Sequence, residues 1–310
     1  MTVIDLKTKK ETSLPEGARI SCALGNFDGV HIGHRELLLE AAKKDHGANI
    51  SAAWTFRVHP MLCRHNPSVK ILTSLEQKLD LFKDAGIEYA ILEDFEDVCD
   101  LSPKEFAKDM LIKKLGICNV ICGFNFSFGK KASGNAEMLK SFFEEEGKTA
   151  SIIPPCKIGE DAVSSSLIRK KIEEGDIESA NALLGHPFSI YLPVTEGRKL
   201  GRTIGIPTIN QVFPENYAIP RFGVYACLCH VDGKTYCGIA NVGIRPTIIE
   251  DVKQIGCETH ILDYNGYLYG KKIRVDFFRF IREEKKFPSV DALAEEIRRN
   301  IEEIRTYFGK

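Results

Sequence analysis

Two histidines stand three residues apart in the segment GNFDGVHIGHRELL, residues 25–38. The segment leaves an apolar run, passes three glycines and enters a helical pattern. Glycine lets a ligand approach the backbone closely, and the first turn of a helix offers unpaired N–H groups to a phosphate. His31 and His34 beside such a turn suit the charge that builds on the phosphates of a nucleotide. Metal ligation or a helix-capping histidine pair would use the same residues, so both alternatives stay open at this point.

A second candidate for phosphate binding is VSSSLIRKKI, residues 163–172. Three serines, among them Ser165, give a hydroxyl-rich helix start, and Arg169 follows on the same side. Hydroxyl donors and a bidentate guanidinium can hold a polyphosphate. An N-cap with a surface arginine is the alternative for this segment in isolation. The presence of both segments in one half of the chain favours a nucleotide site.

A third candidate is EGRKLGRTIGIPTIN, residues 196–210. Its glycines, including Gly201, and the basic residues of 198–202 make a flexible loop that could cradle phosphate, although no G-K-(S/T) of a Walker A loop follows. Thr208 and Asn210 stand two apart and so lie on one side of an extended segment. Their neutral oxygens suit a Mg²⁺ ion that already bridges phosphates. A β-turn stabilised by these two side chains is the alternative.

The first half of the chain alternates short apolar runs with amphipathic stretches. The runs predict buried parallel strands, and the stretches between them predict helices. The predicted strands are 20–25, 50–56, 89–94, 119–124 and 149–154, and the predicted helices are 34–45, 74–85, 103–115, 135–146, 164–174 and 176–184. We expect a doubly wound α/β domain whose ligand site lies at the carboxyl ends of the strands.

From Pro187 the pattern changes to β-strands. The strand segments are FSIYLPVTEG, FGVYACLCHVDGKTYCGIANVG and KKIRVDFFRFIRE, and VDGKT is a hairpin turn signal. One helical face is predicted at the carboxyl end from Val290, Leu293, Ile297, Ile301, Ile304 and Phe308. We therefore expect a small antiparallel β-barrel with a C-terminal helix, and two domains, 1–186 and 187–310.

The composition is that of a soluble globular protein, with 44% hydrophobic and 27% charged residues. A net charge of −1 gives no global field for nucleic acid or an acidic membrane, so neither is expected as a partner. Because no stretch approaches the ~20 apolar residues that span a bilayer, we expect a cytoplasmic protein. The ten cysteines form no C-x-x-C pair and are predicted to be reduced, mostly buried thiols rather than zinc ligands or disulfides.

The pattern G-x-F-D-G-x-H-x-G-H followed by S-S-S-x-x-R resembles the flavin adenylyltransferase module of prokaryotic bifunctional riboflavin kinase/FAD synthetases, a branch of the H-x-G-H nucleotidyltransferases. Supporting segments are TFRVHP, ILTSLEQK, GFNFSFGKKASG and GDIESANALLG. The resemblance covers nearly the whole first half. It implies a nucleotidyltransferase-like domain that transfers AMP from ATP to the phosphate of FMN and releases pyrophosphate.

The same resemblance implies site residues in the first half. His31, His34 and Arg169 would neutralise charge on the phosphates during transfer. The predicted ATP-binding residues are Gly25, Phe27, Asn125 and Ser165. His59 is a weaker candidate for flavin binding, because a structural histidine explains that position equally well.

This chain departs from the family pattern in two places. Many members have Asp-Pro where it has Arg57-Val58, and arginines that are common in the GFNFSFGKKASG segment are here Ser127 and Ala132. The departures affect the contacts expected for the flavin phosphate. One competing hypothesis is therefore a kinase whose adenylyltransferase half is impaired.

The second half is similar to riboflavin kinase in G-x-x-x-G-x-P-T-x-N, GVY, NVGIRPT, CETHIL and YGKKIRVDFFRFIREEKKF. The family implies ATP bound with Mg²⁺ at Thr208 and Asn210, with Gly201 in the ATP site. It also implies that Glu258 is the general base on the ribityl hydroxyl of riboflavin. Arg282 and Phe287 are weaker candidates for flavin contacts.

Together the two resemblances imply a bifunctional enzyme with riboflavin, ATP, FMN and FAD as its small-molecule partners. Riboflavin and ATP would give FMN, and FMN and ATP would give FAD. A non-catalytic flavin-binding regulator with two vestigial sites is the remaining alternative.

Overall fold

The structure, a computed structural model, describes residues 1–7, 14–15, 17–63, 69–197, 201, 205–245 and 254–309. It divides into two compact units, Met1–Ser165 and Ser166–Lys310. Apart from Gly201, the basic loop predicted over 198–202 lies outside the described residues, and so do Pro246 and Thr247 of the NVGIRPT segment. The boundary expected between residues 186 and 187 stays a prediction.

The first unit is built on a six-stranded sheet in which all neighbouring strands are parallel. Its strands are β1 (Thr2–Asp5), β2 (Ile20–Leu24), β3 (Ile50–Phe56), β4 (Tyr89–Glu93), β5 (Ile117–Gly123) and β6 (Thr149–Ile153). Their order is β1–β4–β3–β2–β5–β6. The five predicted strands are confirmed, and β1 adds an edge strand that the sequence analysis did not predict.

Four helices of the first unit follow the predicted amphipathic stretches. They are α1 (Ile32–Ala42), α2 (Leu75–Asp84), α3 (Glu105–Lys114, wound as a π-helix) and α4 (Ala136–Glu145). Side-chain caps start three of them, at His31, Ser74 and Asn135. Each cap satisfies a backbone N–H that has no partner within the helix, which fixes where the helix begins.

Apolar side chains cover both faces of this sheet. Along β2, Cys22 and Leu24 pack with Trp54 in one cluster, while Ala23 packs with Leu38 in the other. Successive strand residues point to opposite faces. A strand buried on both sides is therefore apolar throughout, as the parallel arrangement requires.

The second unit is a six-stranded antiparallel sheet that nearly closes into a barrel. Its elements are α5 (Ser165–Glu174, beginning at the division), α6 (Ile177–Leu184), β7 (Phe188–Pro193), β8 (Ile209–Val212), β9 (Gly223–Val231), β10 (Lys234–Arg245), β11 (Gln254–Ile261), β12 (Lys272–Arg282) and α7 (Val290–Tyr307). The strand order is β7–β12–β9–β10–β11–β8. The backbone N–H of Thr195 donates to the carbonyl of Asn210 over 2.7 Å and so links the two edges.

The predicted hairpin joins β9 to β10. Asp232 and Gly233 both have left-handed backbones, with φ of 48° and 77°. Two successive positive φ values are the signature of a type I′ turn, which matches the twist of the paired strands. The Asp-Gly pair therefore explains the turn.

The helical face predicted for α7 is partly wrong. Ile304 is fully buried, but Val290 is 51% exposed because it directly follows the Ser289 cap at the outer end of the helix. Glu296 and Asn300 are buried on the same helix. A hydrophobicity pattern does not anticipate these two polar residues, because their burial depends on partners from elsewhere in the chain.

All ten cysteines are free thiols, and seven of them are buried. Burial raises the pKa of the Cys122 thiol to about 12, so this group stays protonated at neutral pH. In the part of the chain that the structure describes, no helix is long and apolar enough to cross a bilayer.

Candidate active sites

The first unit contains a cavity of about 490 Å³ at the carboxyl ends of β2, β3 and β5. We call it the histidine cavity. Its walls include a polar group of residues: Gly25, Asn26, His31, Gly33, His34, Asn125, Ser164 and Ser165. Ligands of open α/β sheets bind at this edge, because the strand ends and the helix N-termini converge there. The structure thus brings together residues that are far apart in the sequence.

The two histidines form a stacked pair. His31 caps α1, and its Nδ1 accepts a hydrogen bond from the backbone N–H of His34 over 3.2 Å. The ring centroids lie 3.6 Å apart and the ring planes differ by 14°. Because Nδ1 of His31 is an acceptor, a neutral His31 carries its proton on Nε2. The histidine-capping alternative is therefore also true, and it orients the ring that lines the cavity.

His34 is held in the neutral form. Burial of the ring lowers its pKa well below the ordinary range, and the neighbouring His31 and Lys78 lower it further. Burial acts in this direction because it disfavours the charged imidazolium. At neutral pH the His34 ring is therefore a neutral hydrogen-bonding group rather than a fixed charge.

Phe27 lies behind the histidines rather than in the cavity wall. Its side chain is fully buried and contacts His34 edge-on, with ring centroids 5.3 Å apart. On its other side it packs against Phe82 at 5.1 Å. Phe27 thus supports the His34 ring from the core, and its expected role in ATP binding stays a prediction.

Ser165 and Arg169 lie one helical turn apart on α5. The hydroxyl of Ser165 donates to the carbonyl of Asp28 over 2.9 Å, which ties the start of α5 to the turn before α1. Arg169 is half-buried and belongs to the second unit. Residues four apart share a helix face. The two side chains therefore lie on one face of α5, and the phosphate-binding roles expected for them stay predictions.

Aromatic side chains also line the histidine cavity. Its rings come from β3, from two helices and from the loop after β5, namely Trp54, Phe56, Phe95, Phe106, Phe124, Phe126 and Phe128. Trp54 meets Phe56 and Phe106 edge-on, with centroid distances of 4.8 and 5.5 Å. Aromatic walls of this kind accept a flat conjugated ring. Ser127 and Ala132, which stand where the family pattern commonly has arginines, also line this cavity.

His59 and Arg57 serve the structure around the cavity. Nδ1 of His59 accepts from the backbone N–H of Met61 over 3.2 Å, at the start of the short helix Pro60–Cys63. Pro60 and Met61 line the cavity, whereas His59 does not. The guanidinium of Arg57 pairs with Asp5 and Asp94. The structure thus favours the structural explanation of His59.

In the second unit, strand register aligns three polar side chains. Asn210 on β8 pairs with Glu258 on β11, and Glu258 pairs with Asn241 on β10. Directly paired residues place their side chains on the same face, with Cβ atoms about 5 Å apart. We call Asn210, Glu258 and Asn241 the barrel row. The sequence analysis missed Asn241, because only the register shows that it flanks Glu258.

Glycines bring the loop before β8 close to this row. A Cβ atom at Gly197 would overlap with the amide of Asn210, and one at Gly201 would overlap with the carbonyl of Ile206. The backbone N–H of Ile206 donates to the Gly201 carbonyl over 2.8 Å. Thr208 lines a neighbouring cavity of about 560 Å³ together with Tyr264, Tyr267 and Tyr269. Neither Asn210 nor Glu258 lines that cavity.

The segment after β12 carries further polar contacts to the row. The amide of Asn241 donates to Glu284 over 3.0 Å, and a Cβ at Gly243 would overlap with the Glu284 carboxylate. Arg282 donates to Asn300 over 3.0 Å and stacks over the ring of Phe287 at 5.6 Å. Burial lowers the pKa of Arg282. Arg282 therefore contacts α7 through Asn300 and stacks on Phe287, while Glu284 contacts Asn241.

A doubly wound parallel-sheet unit with a histidine cavity, followed by an antiparallel barrel, defines a two-domain nucleotide-using transferase. Two family models match the chain in that order, FAD synthetase over residues 14–167 and riboflavin kinase over residues 184–308. The chain belongs to the bifunctional riboflavin kinase/FMN adenylyltransferase family. It forms FMN from riboflavin and FAD from FMN. Both families use ATP, typically with a divalent metal ion.

Curated relatives support this placement over nearly the whole chain. The bifunctional riboflavin kinase/FMN adenylyltransferase of Bacillus subtilis (strain 168) is 35% identical over 95% of this chain and 94% of its own. That of Escherichia coli (strain K12) is 33% identical over 96% of both chains. A crystal structure named as a macrolide-efflux protein from Streptococcus pneumoniae has a TM-score of 0.86 and 30% identity, over 98% of this chain and 99% of that one. That likeness supports the fold, while the activity rests on the family models and the curated relatives.

Proposed function

We propose that AMP transfer takes place in the histidine cavity and riboflavin phosphorylation at the barrel row. One observation carries the first assignment: a single cavity is lined by both polar and aromatic side chains. Its volume of about 490 Å³ is within the usual range for small-molecule sites. The polar groups suit the phosphates of ATP, and the aromatic rings suit the isoalloxazine ring of FMN. Both substrates would then bind in the cavity that His31 lines.

The adenylyl transfer needs no enzyme nucleophile. A phosphate oxygen of FMN attacks the α-phosphorus of ATP, the bond from that phosphorus to the bridging oxygen breaks, and pyrophosphate leaves. His31 and His34 would hold the α-phosphate, and Ser165 with Arg169 would hold the β- and γ-phosphates. Positioning and charge neutralisation account for such a reaction.

Asn125 and Gly25 complete the proposed nucleotide site. Gly25 directly follows β2, Asn125 follows the end of β5, and both line the cavity. In this proposal the flavin binds against the aromatic side chains of the cavity rather than at His59. The serine and alanine at positions 127 and 132 leave the flavin phosphate without the arginines of the family pattern, so weaker FMN binding is expected.

We propose Mg²⁺ as the metal of the kinase site, with Thr208 and Asn210 as its protein ligands. Their neutral oxygens fit a hard cation, and the amide of Asn210 is buried beside Gly197. Among the described residues no cluster of three His, Cys, Asp or Glu side chains could hold a metal ion. In this proposal the phosphates of ATP supply further ligands. When bound there, the ion neutralises phosphate charge during the transfer.

Glu258 is the proposed general base of the kinase reaction. Its carboxylate would accept the proton of the ribityl hydroxyl while that oxygen bonds to the γ-phosphorus and ADP leaves. Asn210 and Asn241 flank it in the strand register, so the carboxylate lies between two amides. Arg282 and Phe287 would contact the flavin.

The test is a flavin assay with purified full-length protein. Riboflavin, ATP and Mg²⁺ should give FMN first and FAD later, and removal of the divalent ion with EDTA should stop FMN formation. If riboflavin is phosphorylated but supplied FMN and ATP give no FAD, the adenylyl half is impaired and the first assignment is wrong. Because ATP and flavins are cytoplasmic metabolites, we also propose a cytoplasmic location, which cell fractionation would test.

A further inference from the structure

Lys78 is a buried lysine that the proposed reactions leave unused. It lies near the middle of α2 and is only 6% exposed. Burial lowers its pKa to about 8, and the charge of Asp28 partly offsets this effect. Lysine is almost never buried without partners, since removing an ammonium from water is costly. The hydrogen bonds of the Lys78 ammonium must therefore offset the cost of burying it.

The ammonium of Lys78 holds the turn that leads to the histidines. Its Nζ donates to the carbonyl of Asn26 over 2.7 Å and to the hydroxyl of Thr55 over 3.4 Å. The Thr55 hydroxyl donates to the same carbonyl over 3.2 Å. One backbone carbonyl at the start of the G-N-F-D-G turn is thus fixed by two side chains, one from α2 and one from β3.

This turn has an unusual backbone and needs such support. Phe27, Gly29 and Val30 all have positive φ, at 51°, 84° and 40°. Positive φ is unfavourable for Phe and Val, so surrounding contacts must maintain the conformation. A second tie comes from the segment just before α2, where the backbone N–H of Leu72 donates to the Asp28 carboxylate over 2.9 Å. The segment 72–78 therefore holds the turn at two points, at Asn26 through Lys78 and at Asp28 through Leu72.

We propose that Lys78 is a positioning residue for adenylyl transfer, which holds the Asn26 carbonyl so that the turn presents Asn26 and His31 to the histidine cavity. This inference depends on the proposed function of that cavity. Lys78 itself does not line the cavity, so it acts through Asn26 rather than on the substrate. Its effect should accordingly fall on the turnover rate and not on the affinity for ATP.

The experiment compares Lys78→Met with Lys83→Met in the full-length protein. Lys83 lies on the same helix but is exposed, so its substitution is a matched control. We expect Lys78→Met to lower kcat for FAD synthesis about 100-fold, which is the scale of an error in positioning. The KM for ATP should stay within about 3-fold and riboflavin phosphorylation should not change. Lys83→Met should match the wild type in all three.

Trp54 provides the folding check. It is the sole tryptophan of the chain and is buried in the core of the first unit, so its emission reports whether that unit is folded. A kcat loss with unchanged Trp54 emission supports the proposal. If folded Lys78→Met keeps kcat within 3-fold, or loses only affinity for ATP, the proposal is wrong.

Thr55→Val gives a second test if Lys78→Met does not fold. It removes one of the two hydrogen bonds to the Asn26 carbonyl and leaves Lys78 in place, so kcat should fall about 5- to 10-fold. An unchanged kcat would overturn the proposal. If the wild type itself forms no FAD, the proposed function fails. If the wild type forms FAD and both variants match it, only the role of Lys78 fails.

Discussion

The two units assemble their candidate sites by different means. In the first unit, side chains from strand ends, a helix cap and several loops converge on one cavity. The stacked pair of His31 and His34 lines this cavity. In the second unit, the barrel row is aligned by the register of three antiparallel strands. The first site therefore depends on tertiary packing and the second on backbone pairing. If the sites work independently, a change in one should leave the other reaction intact.

The largest expected effect comes from His31→Asn. Asparagine can still cap α1, so the variant removes the imidazole while keeping the start of the helix. We expect FAD synthesis from FMN to fall about 10³-fold, with riboflavin phosphorylation unchanged. His46→Asn, at an exposed histidine of the same unit, is the control and should behave as the wild type. Loss of both reactions in folded His31→Asn would contradict the independence of the two sites.

Glu258→Gln should produce the opposite pattern. Removal of the proposed base should slow riboflavin phosphorylation about 10²- to 10³-fold, while FAD still forms from supplied FMN at the wild-type rate. Steady-state assays of the two reactions measure this directly. Glu303→Gln, at an exposed position on α7, serves as the control. A kinase rate within 3-fold of the wild type would remove Glu258 from the mechanism.

Ser127→Arg sharpens the comparison on the flavin side of the histidine cavity. A guanidinium in this wall should attract the phosphate of FMN by about 1 kcal/mol, which lowers the KM for FMN about 5-fold. Ser141→Arg adds the same charge at an exposed site on α4, outside the cavity wall. Equal KM values in the two variants would show that position 127 does not face the FMN phosphate.

The smallest effect is expected from Glu296→Gln. The Glu296 carboxylate is 8% exposed and pairs with Arg282, Lys285 and Arg299. Loss of its charge should destabilise the barrel unit by about 1–2 kcal/mol, since the largely buried guanidinium of Arg282 loses its anionic partner. The midpoint for thermal loss of kinase activity should therefore fall, while the unfolding transition of Trp54 should not move. A joint shift of both transitions would show that the two units unfold together.

Local patterns predicted the elements and part of the sites. Continuous apolar runs identified five of the six strands of the parallel sheet, because a parallel strand packed on both faces is apolar throughout. The H-x-G-H and P-T-x-N segments are contiguous, so their residues could be named in advance. The Asp-Gly turn between β9 and β10 was likewise predicted from residues adjacent in the sequence.

What the sequence did not reveal depends on contacts between distant segments. Phe95 and Phe106 join the aromatic wall only through the packing of separate helices, and Asn241 meets Glu258 only through the strand register. The burial of Glu296 depends on cations that precede α7. The placement of Phe27 behind His34 follows from the positive φ of the turn, which no hydrophobicity pattern reports.

The central claim is that one chain carries two separate sites that share FMN as product and substrate. The most direct test mixes His31→Asn with Glu258→Gln and supplies riboflavin, ATP and Mg²⁺. Neither variant alone should convert riboflavin to FAD at more than a small fraction of the wild-type rate. The mixture should form FAD, because FMN made by one variant is adenylylated by the other. If no FAD forms in the mixture while each variant retains its remaining step, two separate sites linked by free FMN are contradicted.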